Sequence, residues 1–334
     1  MDFTVFWFIL IAVLFTGFFF LEGFDFGVGM STRLIAKNKN ERNQLMSTIG
    51  PFWDANEVWL ITAGGALFAA FPSWYATMFS GYYTLFVIFL LVLIARGVAI
   101  EYSHHTHTDK YINYWHWLIF GSSALAPFLL GMLFTSLVQG MPIDKDMHLF
   151  GTFTDYVNVY SIVGGLAVML LSLVHGLTFI GIRTEGIVRE RARQMLSKLF
   201  IVLLAGEVVF AVLTYTSTDF FTVRPVATPV FLAITVACTL LAWAFATKKK
   251  ESIAFTMTGL AFASVVIMLF VGLFPRVMIS SIDPAFNLTI DNASSGDYTL
   301  SVMTKISVVL LPFVLGYQIW SYYIFRKRIH PTKK

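Results

Sequence analysis

The residues whose types and spacing could do chemistry are ionisable side chains set inside long apolar runs. Glu22 and Asp25 stand three apart in the first run, and Asp54 and Glu57 stand three apart in the second, with Trp53, Asn56 and Trp59 around them. An i,i+3 pair shares one face of a helix. The third run ends with Arg96 and Glu101. A charge at the centre of a membrane helix costs roughly 2.5–3.5 kcal/mol on insertion scales, so each of these positions is a functional candidate. Carboxyls crowded at the dry end of helices can take up and release protons, and the pattern therefore suggests a proton path. In the structural alternative Arg96 pairs with one carboxylate and the others sit among lipid headgroups. Five acids exceed what one arginine can satisfy.

Other polar positions carry less. Glu207 stands alone near the middle of a later run, within Leu204-Ala205-Gly206-Glu207. It suits either a second proton route or a bond to a polar group on another helix. His104, His105 and His107 cluster in a loop, but no second His or Cys cluster completes a metal site, so a solvated loop is the reading. His116 lies between Trp115 and Trp117, as an interfacial belt would place it. His175, inside an apolar run, is the one candidate for haem ligation from a span, against the plainer role of a hydrogen bond within the bundle. Gly23 and Gly27 make a small-xxx-small pair beside the acidic face, and Gly64-Gly65 reads the same way, as close helix packing.

The elements that must hold these residues are membrane helices. Of 334 residues, 57% are hydrophobic and 13% charged, too little polar surface to cover a soluble core. The single cysteine, Cys238, excludes an internal disulfide and a cysteine-ligated cluster within this chain. The net charge of +4 is spread between apolar runs, which marks topology rather than nucleic acid. The opening Met1-Asp2-Phe3 has no basic region and its apolar run is too long for a cleavable signal. A span needs about 20 apolar residues, which gives about nine: 4–31, 51–72, 74–100, 113–140, 157–182, 196–217, 226–246, 252–274 and 299–325.

Basic residues test that count. Arg33, Lys37, Lys39 and Arg42 follow the first span; Arg183, Arg189, Arg191, Arg193 and Lys198 follow the fifth; Lys248, Lys249 and Lys250 follow the seventh; Arg326, Lys327 and Arg328 follow the ninth. The alternate loops are acidic. Positive-inside then puts the N-terminus outside and the C-terminus in the cytoplasm, which requires an odd number of spans. The expected plan is an all-α integral membrane protein of two four-helix bundles, 1–140 and 141–276, followed at 277–334 by an outer loop, a peripheral ninth helix and a cytoplasmic tail. That topology brings Glu22, Asp25, Asp54, Glu57, Arg96 and Glu101 to one depth in the cytoplasmic third. Buried acids in bundle repeats also suit an ion-coupled secondary transporter, but carriers commonly show Gly/Pro-broken helices at matching midplane positions, which are lacking here. A structural scaffold leaves the acidic slab unexplained.

A family resemblance rests on two stretches, Glu22-Gly23-Phe24-Asp25-Phe26-Gly27-Val28-Gly29 and Pro51-Phe52-Trp53-Asp54-Ala55-Asn56-Glu57-Val58-Trp59-Leu60, the second continuing through Gly64-Gly65 to Ala70. These resemble the signature stretches of subunit II of cytochrome bd-type quinol oxidase, and Asn287 to Thr304 resembles that family's last outer loop. The resemblance implies a bacterial cell-membrane complex that oxidises quinol and reduces oxygen to water, electrogenic without pumping. It implies a homologous subunit I carrying two haem b and one haem d, small single-helix accessory subunits, and no haem firmly in this chain. Trp53 and Asp54 match the family's tryptophan–aspartate pair, whose aspartate is associated with a proton route from the cytoplasm along the subunit interface. Glu101 matches the acidic position closing the third helix, whereas Glu207 matches no motif.

Overall fold

The structure, a computed structural model, describes residues 2–105 and 108–330; His107 and the side chains of His104 and His105 lie outside the described residues. The chain is almost entirely helical. Helix α1 (Phe3–Leu34) starts where the Asp2 carboxylate accepts the backbone N–H of Thr4 at 2.9 Å, a standard N-cap. Every residue from Glu22 to Thr32 is buried, because α1 is the central post against which α3, α6, α8 and α12 pack. A helix apolar on all sides belongs in a core or in a membrane.

Next come α2 (Lys39–Ile49), α3 (Trp53–Ala70), α4 (Pro72–Gly81) and α5 (Tyr83–His105). The 74–100 span expected as one helix is therefore two. Phe71, held out of the helical region before Pro72, ends α3, and Tyr82 breaks α4 from α5. Then follow α6 (Asp109–Gln139), the short α7 (Phe153–Tyr156), α8 (Val159–Arg183), α9 (Ile187–Ser217), the short α10 (Phe220–Val223), α11 (Ala227–Thr247), α12 (Glu251–Leu273) and α13 (Asp297–Ile324). Among the described residues, eight helices are long and apolar enough to cross a membrane: α1, α5, α6, α8, α9, α11, α12 and α13. Helix α3, at 18 residues and carrying Asp54, Asn56 and Glu57, is not among them.

The helix ends sort onto two faces. On the basic face, α2 lies over the end of α1, and Arg191 of α9 binds both the Ile35 carbonyl and Glu41. Several arginines expected in a loop there, Arg189, Arg191 and Arg193, instead ride on the first turns of α9. That helix starts after Gly186, whose φ of +80° favours glycine at the turn from α8. The C-terminal tail returns to this face: Ile329 pairs with Thr184, and Gln44 donates to the Ile329 carbonyl. On the opposite face a two-stranded ladder, β1 (Arg276–Met278) with β2 (Leu288–Thr289), packs beside the 140–156 segment. Ser295 there donates through Oγ and N to the carbonyls of Ala69 and Ala70, closing the open end of α3.

Glycines set the closest helix crossings. A Cβ on Gly27 would lie 2.1 Å from the Ser172 carbonyl and 2.7 Å from Gly176, so α1 and α8 touch backbone to backbone. Gly131 meets Gly164 and Gly165 in the same way where α6 crosses α8. Gly23 faces the Phe262 ring instead. The expectation of close packing at Gly64-Gly65 is corrected: nothing lies within 4 Å of either, and both line an apolar cleft of about 1090 Å³ between α3, α4, α5 and α6.

Candidate functional site

The polar cluster is assembled from four helices at their basic-face ends. The last third of α1 brings Glu22 and Asp25, the first turns of α3 bring Asn56 and Glu57, and α5 brings Arg96. Glu22, Asp25, Asn56 and Arg96 are completely buried. Arg96 Nη1 lies 2.5 Å from Glu22 Oε1 and 2.5 Å from Glu57 Oε1, so one guanidinium nitrogen joins α1 to α3. Its plane also sits 4.8 Å from the centre of the Phe26 ring. A buried charge of this kind is tolerated because it is paired.

Asp25 is held from the other side. Asn56 Nδ2 donates to Asp25 Oδ2 at 2.7 Å, and the Asp25 charge is close enough to act on Glu22. The fourth helix is α13. Tyr322 donates its hydroxyl to Asn56 Oδ1 at 2.7 Å while its ring stacks on Phe52, and Gln318 Nε2 lies 3.4 Å from the same oxygen. Trp59 Nε1 in turn donates to Gln318 Oε1 at 2.7 Å. Gln318 and Tyr322 were missed in the sequence. Their signal was available, since they stand i,i+4 on one face of an apolar helix, at the depth that the topology assigns to the acids.

Several atoms in the cluster have no protein hydrogen-bond partner: Glu22 Oε2, Asp25 Oδ1, and Nε and Nη2 of Arg96. Buried polar atoms without partners mark places for ordered water or a mobile proton. Three carboxyls stand against one guanidinium, so full ionisation would leave uncompensated negative charge in a dry site. The arrangement can hold and pass protons.

The six acids and bases expected in one slab do not all meet. Asp54 is exposed on the outer side of α3 and makes no part of the buried network, although its charge is close enough to act on Glu57. Glu101 is exposed one turn past Arg96 on α5. Trp53 packs toward Gly97 of α5. Glu207 lies apart on α9, where one carboxyl oxygen accepts the Thr239 hydroxyl of α11 at 2.6 Å. Its other oxygen has no partner, and the side chain lines a separate apolar cavity of about 240 Å³. His116 is buried within α6, one to two turns from the start of that helix.

Haem ligation by His175 does not fit. Its Nε2 donates to the Phe20 carbonyl at 3.0 Å, its Nδ1 lies 2.7 Å from the Thr258 hydroxyl, and its ring stacks on Phe255 at 4.4 Å. Both ring nitrogens are engaged, which leaves no lone pair aimed at an iron. Among the described residues, no group of three His, Cys, Asp or Glu side chains could hold a metal ion.

Fold and site together define a multi-pass all-α membrane protein with a buried carboxyl–arginine cluster on one face. The chain belongs to the family described as cytochrome bd terminal oxidase subunit II, whose model matches residues 3–325. It is 55% identical over 323 residues to the cytochrome bd ubiquinol oxidase subunit 2 of Bacillus subtilis, covering 97% of this chain and 96% of that one. It is 33% identical to the cytochrome bd-I ubiquinol oxidase subunit 2 of Escherichia coli K12, over 97% and 94% of the two chains. In fold it is similar to a chain of the bd oxidase from Geobacillus thermodenitrificans, with a TM-score of 0.77 at 14% identity, over 97% and 99% of the two chains. Membership makes the chain one subunit of a quinol oxidase, an oxidoreductase complex with haem cofactors, and the transporter reading is set aside.

Proposed function

We propose that this chain is the proton-handling subunit of the oxidase, carrying protons from the cytoplasm toward a haem-bearing partner. The buried junction of Glu22, Asp25 and Glu57 on Arg96 is the observation that carries this reading, because it places three carboxyls around one fixed charge with unpartnered oxygens between them. Asp54, exposed on α3 next to the cluster, is the entry group, and Glu101 lines the same approach on α5. Glu207 lies outside this route and serves the contact of α9 with α11 through Thr239.

The partner is a homologous subunit I holding two haem b and one haem d, where quinol is oxidised and oxygen is reduced to water. When bound there, the haems supply the electron transfer and oxygen chemistry. His175 is not such a ligand, since both of its ring nitrogens are engaged. The engaged histidine supports a haem set held by the partner. Small single-helix accessory subunits complete the assembly in the bilayer. The chain itself crosses nine times, with α3 as the ninth span. Residues 1–140 and 141–276 form two four-helix bundles and 277–334 add α13 and the tail. The N-terminus lies outside and the C-terminus in the cytoplasm of a bacterial cell membrane, because the basic residues gather at the tail's face.

The test is oxygen consumption by purified complexes carrying Asp54→Asn or Asp25→Asn, compared at equal haem content. Loss of a positioned proton-transfer group slows turnover by roughly 100-fold or more, so both variants should assemble and turn over far more slowly. Wild-type turnover in both assembled variants would remove the proton role.

A further inference from the structure

Every hydrogen bond from Trp59 to Asp25 runs in one direction. An indole nitrogen can only donate. Trp59 Nε1 donates to Gln318 at 2.7 Å, which makes the atom it meets the amide oxygen and turns the Gln318 amino group toward Asn56. The Asn56 atom facing Gln318 is then its oxygen, which also accepts the Tyr322 hydroxyl at 2.7 Å. Asn56 is thereby left with its amino group toward Asp25, where Nδ2 meets Oδ2 at 2.7 Å. Amide orientations in proteins are assigned from networks; here the indole fixes the Gln318 amide, and the Asn56 amide is fixed by Gln318 together with the Leu21 carbonyl, which Asn56 Nδ2 meets at 3.4 Å.

From this we infer that Trp59 and Gln318, acting with the Leu21 carbonyl, are positioning residues that determine which oxygen of Asp25 carries its proton. Oδ2 always faces a donor and so stays an acceptor. The transferable proton is held on Oδ1, the buried oxygen with no hydrogen-bond partner. This assignment deepens the proton-route reading and rests on it for its consequence in turnover. It also gives the last helix a role at the site, because α13 supplies Gln318 and Tyr322 and the chain of donors has to pass through it. Tyr322 alone could not set the direction, because a hydroxyl both donates and accepts.

Infrared difference spectra of the whole complex between acidic and neutral buffer test this directly. The carbonyl band of protonated Asp25 is identified by its absence in Asp25→Asn. The wild-type complex should show one narrow band, shifted as expected for a carbonyl that accepts a hydrogen bond. Trp59→Phe keeps a ring over Gly17 and removes only the donor. Trp59→Phe, and Gln318→Leu combined with Tyr322→Phe, should each split or shift the band as the Asn56 amide is left to the Leu21 carbonyl alone. Turnover should fall by up to about tenfold, the worth of one hydrogen bond. An unchanged single band in both variants overturns the assignment, whatever the turnover. Wild-type turnover in Asp25→Asn with a split band in Trp59→Phe would instead keep the assignment and remove the route.

Discussion

At the residue scale, Arg96 decides whether the cluster exists. It is fully buried and its Nη1 serves Glu22 and Glu57 together. Removing one partner of a buried ion pair costs about 3–5 kcal/mol, mostly because the opposite charge is stranded. Arg96→Met should therefore lower the thermal unfolding midpoint of the complex or its yield. Adding Glu22→Gln and Glu57→Gln should restore much of the loss. A single variant as stable as wild type would show that the pairing carries no weight. The identities of Glu22, Asp25, Glu57 and Arg96 as members of one site were legible in the sequence, because spacing and topology agreed on their depth. The exposure of Asp54 was not. Its i,i+3 relation to Glu57 suggested a shared buried face, but the apolar residues of α3 are spread round the helix and leave its rotation unspecified. Asn56 turned out to be the buried member, fixed by α13, a helix far away in sequence.

At the element scale, glycine positions separate crossings from clefts. Gly27→Ala would push a methyl into the Ser172 carbonyl and Gly176, both backbone, so the helices must part. Overpacking of this kind costs about 1–3 kcal/mol or more, and the variant complex should melt earlier. Gly64→Ala meets nothing within 4 Å and should stay within about 0.5 kcal/mol of wild type. The two sites read alike in sequence, since small residues in apolar helices mark close packing only where a neighbour is present. The breaks at Phe71-Pro72 and Tyr82 belong to the same class. A proline announces the first, whereas nothing local announces the second. Helix α2 makes a further prediction. Glu41 is partly buried, which acts against its charge. The Lys37 backbone N–H and the Arg191 guanidinium outweigh that and hold its carboxyl below the ordinary 4.5. A depressed carboxyl contributes stability above its unfolded value and loses it as pH falls through the folded one. Protease cleavage near α2 should thus rise in wild type below about pH 4.5, whereas Glu41→Gln should be cleaved more readily already at neutral pH and respond less to acid. Identical profiles would dissociate α2 from this contact.

At the scale of the whole molecule, the two faces make the strongest topological statement. The basic face gathers α2, the start of α9, the turn from α11 to α12 and the tail; the other holds the two-stranded ladder and α7. Alternation of helix direction carries this sorting through the chain only if α3 crosses, for otherwise α5 to α13 would all reverse. Helix α3 is 18 residues long, about 27 Å at 1.5 Å per residue, close to the roughly 30 Å hydrocarbon core. Its polar start is accommodated because Asn56 and Glu57 turn into the cluster and its far end is closed by Ser295. Cysteine labelling can decide the matter almost without background, since Cys238 is the chain's one cysteine and is buried. Cysteines introduced at Asn40, between α1 and α3, and at Ser295, beyond α4, should react from opposite sides of sealed cells with a membrane-impermeant reagent. Ser295 should be labelled from outside and Asn40 only after the membrane is opened. Labelling of both from outside would remove the proposed orientation and, with it, the proposed cytoplasmic origin of protons at Asp25.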